Sequence, residues 1–473
     1  MPHFTQFAKD CSGNNMPEPR EYSVYPGSVH PVNGGVLCMA DGGAEDLLVT
    51  DAPGTLTGES AEGLVLAPLT HENARALREL FPFTAPSKVL SRDRTFGAGD
   101  RLGIAGPGHL RVFESCAVTP VLAQQSVREL NLTNRTFQDI VDAATFATYR
   151  AGFERGYGAD GDHVKTMHDI QAALDAGCTM ITLDCSDYIN KPASLTADPD
   201  IEPLYLNRTF RVEDEVIRFS AGDLAESLAI YSAALAFTKE VHDAFFGSAA
   251  PQAELELSID ETQQPTTPLQ HFFFASELRR HGIDIATLAP RFAGEFQKGV
   301  DYIGDLGAFE RDFRVHAAIA RHFGHKLSIH SGSDKFSIFP VIAKYAGDRY
   351  HLKTAGTSWL EAMRIVAAAD PCLYREAHSF ALESFDGARA YYHVSAEASN
   401  IPRLDSLADS ELPALLDLSD ARQLIHITYG FILGDAGLKR RLYELWRRER
   451  QAYSDALFAH IGRHIGAFDQ TCK

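Results

Sequence analysis

Five short windows of this chain end on side chains that bind metals or move protons. They are GYGADGDHVK with Asp162, His163 and Lys165, MITLDC with Asp184, ELELSIDET with Glu261, KLSIHSGSDK with His330, and RYHLKTAG with His351 and Lys353. Imidazole nitrogens joined by a carboxylate make a donor set suited to Zn²⁺, Mn²⁺, Ni²⁺ or Co²⁺, and a nitrogen-rich set disfavours Mg²⁺. The expectation is one divalent ion held by His163, Glu261, His330 and His351. Asp162, beside His163, would be an acid–base group next to that ion; Asp184 and Lys165 complete the candidate catalytic groups. Plainer readings exist for each: Asp162 or Glu261 as a helix cap, and a strand histidine as a packing residue. The crowding of Asp160, Asp162, His163 and Lys165, and the polar run that follows the apolar strand before His330, favour chemistry.

A ligand must be held as well as transformed. Ser331, Gly332 and Ser333 follow His330 and would leave backbone N–H groups open to an oxyanion. Lys335, Lys353, Lys165 and Arg291 (in LAPRF) are the candidate cations for an anionic substrate group. Gly156, Gly158 and Gly161 spell G-x-G-x-x-G, with Asp184 further on, which taken alone is a dinucleotide fingerprint. The context is wrong for it. The preceding TYRAGFER is polar and helix-like, not a buried strand, and Asp162-His163 stands where bare helix amides should meet a pyrophosphate. No nucleotide cofactor is expected.

Strand ends so far apart in sequence meet only if the strands close on one another. LGIAG, PVLAQ, YGADGDH, MITLD, LELSID, IATLAP, KLSIH and YHLKT read as eight strands alternating with helical stretches such as RTFQDIVDAATFATYRAGF. Such alternation implies parallel crossovers, and the fold class is α/β, a (β/α)8 TIM-type barrel whose strand ends share one cup. The barrel is placed at 93–372, with a rim insertion at about 186–225. An N-terminal arm and small α/β appendage occupy 1–92, and 373–473 is a helical C-terminal extension packed on the barrel. The formal charge of −19 repels nucleic acid and anionic membranes, so neither is expected as a partner. The seven cysteines lack a C-x-x-C pair, which suits a reducing compartment. With no apolar signal core and no run near ~18 apolar residues, the expected location is cytoplasmic.

FGAGDRLGIAGPGHL, AQQSVREL, YGADGDHVKT, TLDCSDYI, SIDET, KLSIHSGSDKF and YHLKTAGTSWLEA, in this order over roughly residues 90 to 400, resemble the tagaturonate epimerase family. That resemblance implies an isomerase of hexuronate catabolism interconverting D-tagaturonate and D-fructuronate, with a keto sugar acid as partner; a homo-oligomer is compatible with it. Asp162-His163 and His330-Ser-Gly-Ser are also similar to class II metal-dependent aldolases, where the Asp is an acid–base group and the histidines bind metal. Asp334-Lys335 after the turn departs from that pattern. Together the two similarities imply inversion of the carbon β to the ketone by retro-aldol cleavage and re-addition. The alternative is a class II-type aldolase that releases its fragments.

Overall fold

The computed structural model describes residues 23–468 except 62, 192–200, 261 and 263. Five short strands come first: β1 (His30–Val32), β2 (Gly35–Asp41), β3 (Asp46–Thr50), β4 (Glu59–Ala61) and β5 (Leu64–Ala67), an antiparallel sheet in the order β1-β2-β3-β5-β4. Alternation along β2 sends Leu37 and Met39 to one side, where Leu77, Phe146 and Tyr149 cover them, and Cys38 and Ala40 to the other. The helix His71–Leu80, capped by Thr70, anchors this sheet to the helix Phe137–Ala151.

Eight parallel strands then close a barrel. In chain order they are β6 (Arg94–Ala98), β7 (Thr119–Ser126), β8 (Gly158–Val164), β9 (Met180–Asp184), β12 (Glu254–Ile259), β13 (Thr287–Pro290), β14 (Lys326–Ile329) and β15 (Tyr350–Thr354), with β15 pairing β6 to complete the ring. A small hairpin, β10 (Phe210–Val212) and β11 (Glu215–Ile217), interrupts the series between β9 and β12. Seven of the eight expected runs form barrel strands, and the first does not. LGIAG is a loop, because the Asp100 carboxylate accepts the N–H groups of Leu102, Gly103 and Ala105 at 2.8–3.0 Å and curls the chain into the helix Gly106–Glu114. RTFGA is the strand in its place.

Barrels of this kind are filled by layers of branched apolar side chains. Here the filling is largely polar. Thr95, Asp160, Thr182, Glu256, Thr287, Lys326, His351 and Lys353 are all buried and bond chiefly to one another. The apolar residues alternate outward and meet the surrounding helices, as Leu255 and Leu257 do.

The hairpin and the helix Ile201–Tyr205 pack Tyr205, Phe210 and Phe219 against Phe272 and Phe273 of the helix Pro268–Arg280. After β15, helices from Thr357 to Phe468 build their own core around Trp359, Leu442 and Trp446. The last of them, Arg450–Phe468, also seats Ile461 and Ile465 in the barrel's outer core. No helix among the described residues is long and apolar enough to cross a membrane.

Candidate active site at the carboxyl ends of the strands

Side chains at i and i+1 of a regular strand point to opposite faces. Asp162 and His163 break that rule. The pairing of β8 with β9 shifts register between Gly161 and Val164, and His163 takes a left-handed φ of 54°. The resulting bulge turns both side chains to the cup, at an expected strain of ~1–3 kcal/mol. His330 is the first residue beyond β14, and Ser331, with φ 50°, turns the chain back over the mouth.

His163, His330 and Asp260 come together there, each offering a ligand atom within 4.8 Å of the others. The two imidazole centroids are 4.8 Å apart. Nδ1 of His163 lies 2.7 Å from Asp162 Oδ1, and Nε2 of His330 lies 2.8 Å from Glu256 Oε1. Nδ1 of His330 is buried, 3.4 Å from Asp260 Oδ1, and makes no hydrogen bond. Two imidazoles, each backed by a carboxylate, and a third carboxylate facing an orphaned ring nitrogen fit a Zn²⁺-, Mn²⁺- or Co²⁺-type ion.

Beneath this cluster Lys353 is the hub. Its Nζ lies 2.7 Å from Asp160, 2.7 Å from Asp162, 2.9 Å from Glu256 and 2.6 Å from Thr182 Oγ1. Gly97, opposite Lys353 in the β15–β6 register, leaves the space that Gln124 fills. Burial opposes ionisation of Asp162 and Glu256, yet Lys353, with His163 and His330 respectively, holds both well below the usual carboxylate range. Burial raises Asp160 to about 7 against the pull of Lys353. His163 is driven the other way: burial works against its charge, but Asp162 lifts it to about 10. The cup therefore holds an excess of carboxylate, which protons balance and a divalent cation can replace.

A cavity of about 730 Å³ opens above. Asp184 and Lys165 line it, their charged atoms 3.5 Å apart; Ser186 donates its N–H to Asp184 Oδ1 at 2.8 Å, and Lys165 also reaches Ser186 Oγ at 2.8 Å. Arg291 lines the opposite strand ends and has no side-chain polar partner among the described residues. Ser331 lines the cavity and accepts from Lys298 at 3.0 Å. The roof comes from Arg128, Phe296, Tyr391, Tyr392 and His393. The described part of the 186–225 insertion reaches the cavity wall through Ser186 and through Asp187, whose Oδ1 lies 3.1 Å from Lys165 Nζ, while Tyr205, Phe210 and Phe219 pack on the helix outside the barrel.

Several expected residues sit elsewhere. His351 is deeper in the barrel, its Nδ1 2.9 Å from Thr95 Oγ1, and burial pushes it down to about 3. It does not join the His163–His330 pair. Lys335 is buried, donating to the carbonyls of Gln297, Val300 and Ser333, so it cannot reach a substrate anion. Ser333 exchanges hydrogen bonds with the Ala355 backbone, and Gly332 is packed against Leu352. Lys353 touches the cavity but is committed to its carboxylates. Glu261 lies outside the described residues; its neighbour Asp260 is the acid in the cluster. Glu256 was missed, and Asp160 was counted in the crowd of acids without a role; their signal is acids at every second position of a strand, as Glu254 and Glu256 or Asp160 and Asp162.

A family model described as tagaturonate epimerase matches residues 37–468 of this chain. A tagaturonate/fructuronate epimerase of Thermotoga maritima is 40% identical over 408 residues, 84% of each sequence. The crystal structure of fructuronate-tagaturonate epimerase from Cohnella laeviribosi with one glycerol superimposes with a TM-score of 0.91 at 45% identity, covering 94% of this chain and 96% of that one. The two-glycerol crystal form of that enzyme gives 0.91 at 42% identity over 98% and 99% of the two chains.

Proposed function

The chain belongs to the tagaturonate epimerase family, and from that premise we propose that it interconverts D-tagaturonate and D-fructuronate in hexuronate catabolism by breaking and re-forming one carbon–carbon bond. The observation that carries the reading is the meeting of His163, His330 and Asp260 at one mouth of the barrel, over carboxylates tied to Lys353. The inverted carbon is β to the ketone, so the carbonyl does not acidify its C–H, and direct proton removal there is disfavoured. A divalent ion held by His163, His330 and Asp260 would supply Lewis acidity at the ketone and its neighbouring hydroxyl.

The chain's own groups account for the rest. Asp162 has one oxygen occupied by both His163 and Lys353, which makes it an orienting partner for His163. Asp184 faces the cavity beside Lys165 and is the group that takes the β-hydroxyl proton. As it does so, the bond between the α and β carbons breaks, its electron pair staying on the ketone half as an enediolate while the β carbon becomes an aldehyde. The aldehyde turns, the pair re-forms the bond on its other face, and Asp184 returns the proton. Arg291 holds the substrate carboxylate as a pivot during the turn. Arg128, Phe296 and the Tyr391–His393 segment roof the cavity and keep the fragments from leaving.

Incubation of the metal-analysed protein with D-fructuronate, followed by sugar-acid chromatography, tests this. One six-carbon epimer, and a transition metal bound in proportion to activity, are the expected results. Two three-carbon products would make the chain an aldolase instead.

A further inference from the structure

A second cluster of acids and histidines lies behind the cavity wall. Asp334, His460 and His464 are buried and offer ligand atoms within 4.8 Å of one another, in the manner of a metal site. Their donors are already spent. His464 Nδ1 donates to the His460 carbonyl at 2.9 Å, which leaves Nε2 to accept the Asp334 backbone N–H at 2.8 Å. The Asp334 carboxylate takes the Arg422 guanidinium at 2.8 Å on one oxygen and His460 Nε2 at 3.2 Å on the other. Nε2 of His460 also meets the Thr357 hydroxyl, and its second nitrogen faces Glu361 at 3.5 Å. Arg422 already balances the Asp334 charge and His464 Nε2 is taken by a backbone N–H, so the cluster is satisfied without a metal.

What the cluster holds is the turn that carries His330. That turn leaves regular geometry at Ser331 (φ 50°) and Asp334 (φ 63°), conformations that persist only when the surroundings over-determine them. Arg422, on the helix Ser419–Ile427, donates from Nε to Gly299 O at 2.8 Å, from Nη1 to Leu416 O at 2.9 Å and from Nη2 to Asp334. One side chain thereby joins the turn after β14 to the loop after β13. Its neighbour Gln423 donates to Gln297 Oε1 and Lys298 O, both at 3.0 Å. Both joined segments line the cavity, one through His330 and Ser331, the other through Gln297 and Lys298.

We infer that Arg422 and Asp334 are positioning residues, a clamp through which the C-terminal helices set His330 for metal binding and turnover, and that the Asp334–His460–His464 cluster is not a second metal centre. The inference rests on the reading of His330 as a ligand. The test uses the full chain and Co²⁺ alone as probe, titrated by visible absorption, together with epimerisation kinetics. The double variant Asp334→Asn/Arg422→Gln removes both charges and leaves neither unpaired. Its Co²⁺ affinity and kcat are expected to fall about 10- to 100-fold, with KM nearly unchanged. Arg422→Lys keeps the charge, loses the fork and should fall in between; it decides the matter if the double variant does not fold. Leu442→Ala, in the C-terminal core, should lower the melting temperature and leave both readouts alone. A double variant that binds Co²⁺ and turns over like the wild type overturns the clamp. So does a wild-type chain holding two Co²⁺, one of them lost in His460→Ala. A wild type that takes up no Co²⁺ defeats the metal reading instead, and the kcat of the double variant then judges the clamp.

Discussion

Asp162 and Asp184 both face the cavity, and their hydrogen bonds separate their roles. Asp162 is engaged by His163 and Lys353, at 2.7 Å each; Asp184 meets one backbone N–H and keeps an oxygen 3.5 Å from Lys165. Asp184→Asn should therefore lower kcat by about 10²–10⁴-fold, the usual worth of a general base, with metal content kept. Asp162→Asn should lower metal content and kcat together. Parallel elemental analysis and kinetics distinguish the two, and the reverse pattern would exchange their roles. His163 was legible in the sequence from the crowding of Asp160, Asp162, His163 and Lys165, and His330 because it closes an apolar strand and opens a polar run. Glu256 was not, because the alternating acids of ELELSI, Glu254 and Glu256, look like the solvent side of an ordinary strand until the barrel closes around them. His351 and Lys335 misled for the converse reason: composition does not tell a mouth-facing side chain from one buried and satisfied below or behind it.

At the scale of elements, the turn after β14 depends on close packing against β15. Gly332 donates its N–H to Lys353 O at 2.9 Å, and a Cβ there would run into the Leu352 side chain. Gly332→Ala should cost about 1–3 kcal/mol of stability as an overpacked site and reduce activity with it, since His330 moves with the turn; urea unfolding beside a rate assay checks both. This glycine read as an open amide for a ligand and is instead a packing requirement. The strands were recoverable where short β-prone, largely apolar runs stood between helical stretches, as in MITLD and KLSIH. RTFGA was passed over because Arg94 and Gly97 dilute its pattern, and LGIAG was mistaken for a strand because nothing local reveals that Asp100 gathers its amides. The 186–225 segment read as a rim insertion, and its aromatics gave no hint of which face of the barrel they would cover.

At the scale of the molecule, the β/α alternation carried the barrel, whereas the clamp could not be read from sequence because Asp334 and Arg422 meet only in the folded chain. Another long-range device lies outside the barrel wall. His271, His316 and His325 form a buried chain, with Nδ1–Nδ1 2.9 Å and Nε2–Nε2 3.0 Å, ending on the Thr266 carbonyl at 3.2 Å. Burial holds His316 down to about 4, His325 to about 3, and His271 well below its ordinary value. The folded state keeps these rings neutral while the unfolded chain takes up protons below its ordinary histidine value of 6.5. Stability from this source is thus complete above that pH and is lost as pH falls toward about 4, by up to ~1.4 kcal/mol per pH unit for each ring. Melting temperatures between pH 7 and pH 4.5 should fall accordingly, and His316→Gln should remove about one proton from the slope. An unchanged slope in that variant would show that this ring does not stay neutral in the fold.

The central claim is that a carbon–carbon bond, not the C–H bond of the inverted carbon, is broken. Substrate carrying deuterium on that carbon tests it directly. Turnover at the unlabelled rate and full retention of the label in the epimer are expected; a primary isotope effect, or label lost to solvent, would mean that hydrogen leaves the carbon and would contradict carbon–carbon cleavage.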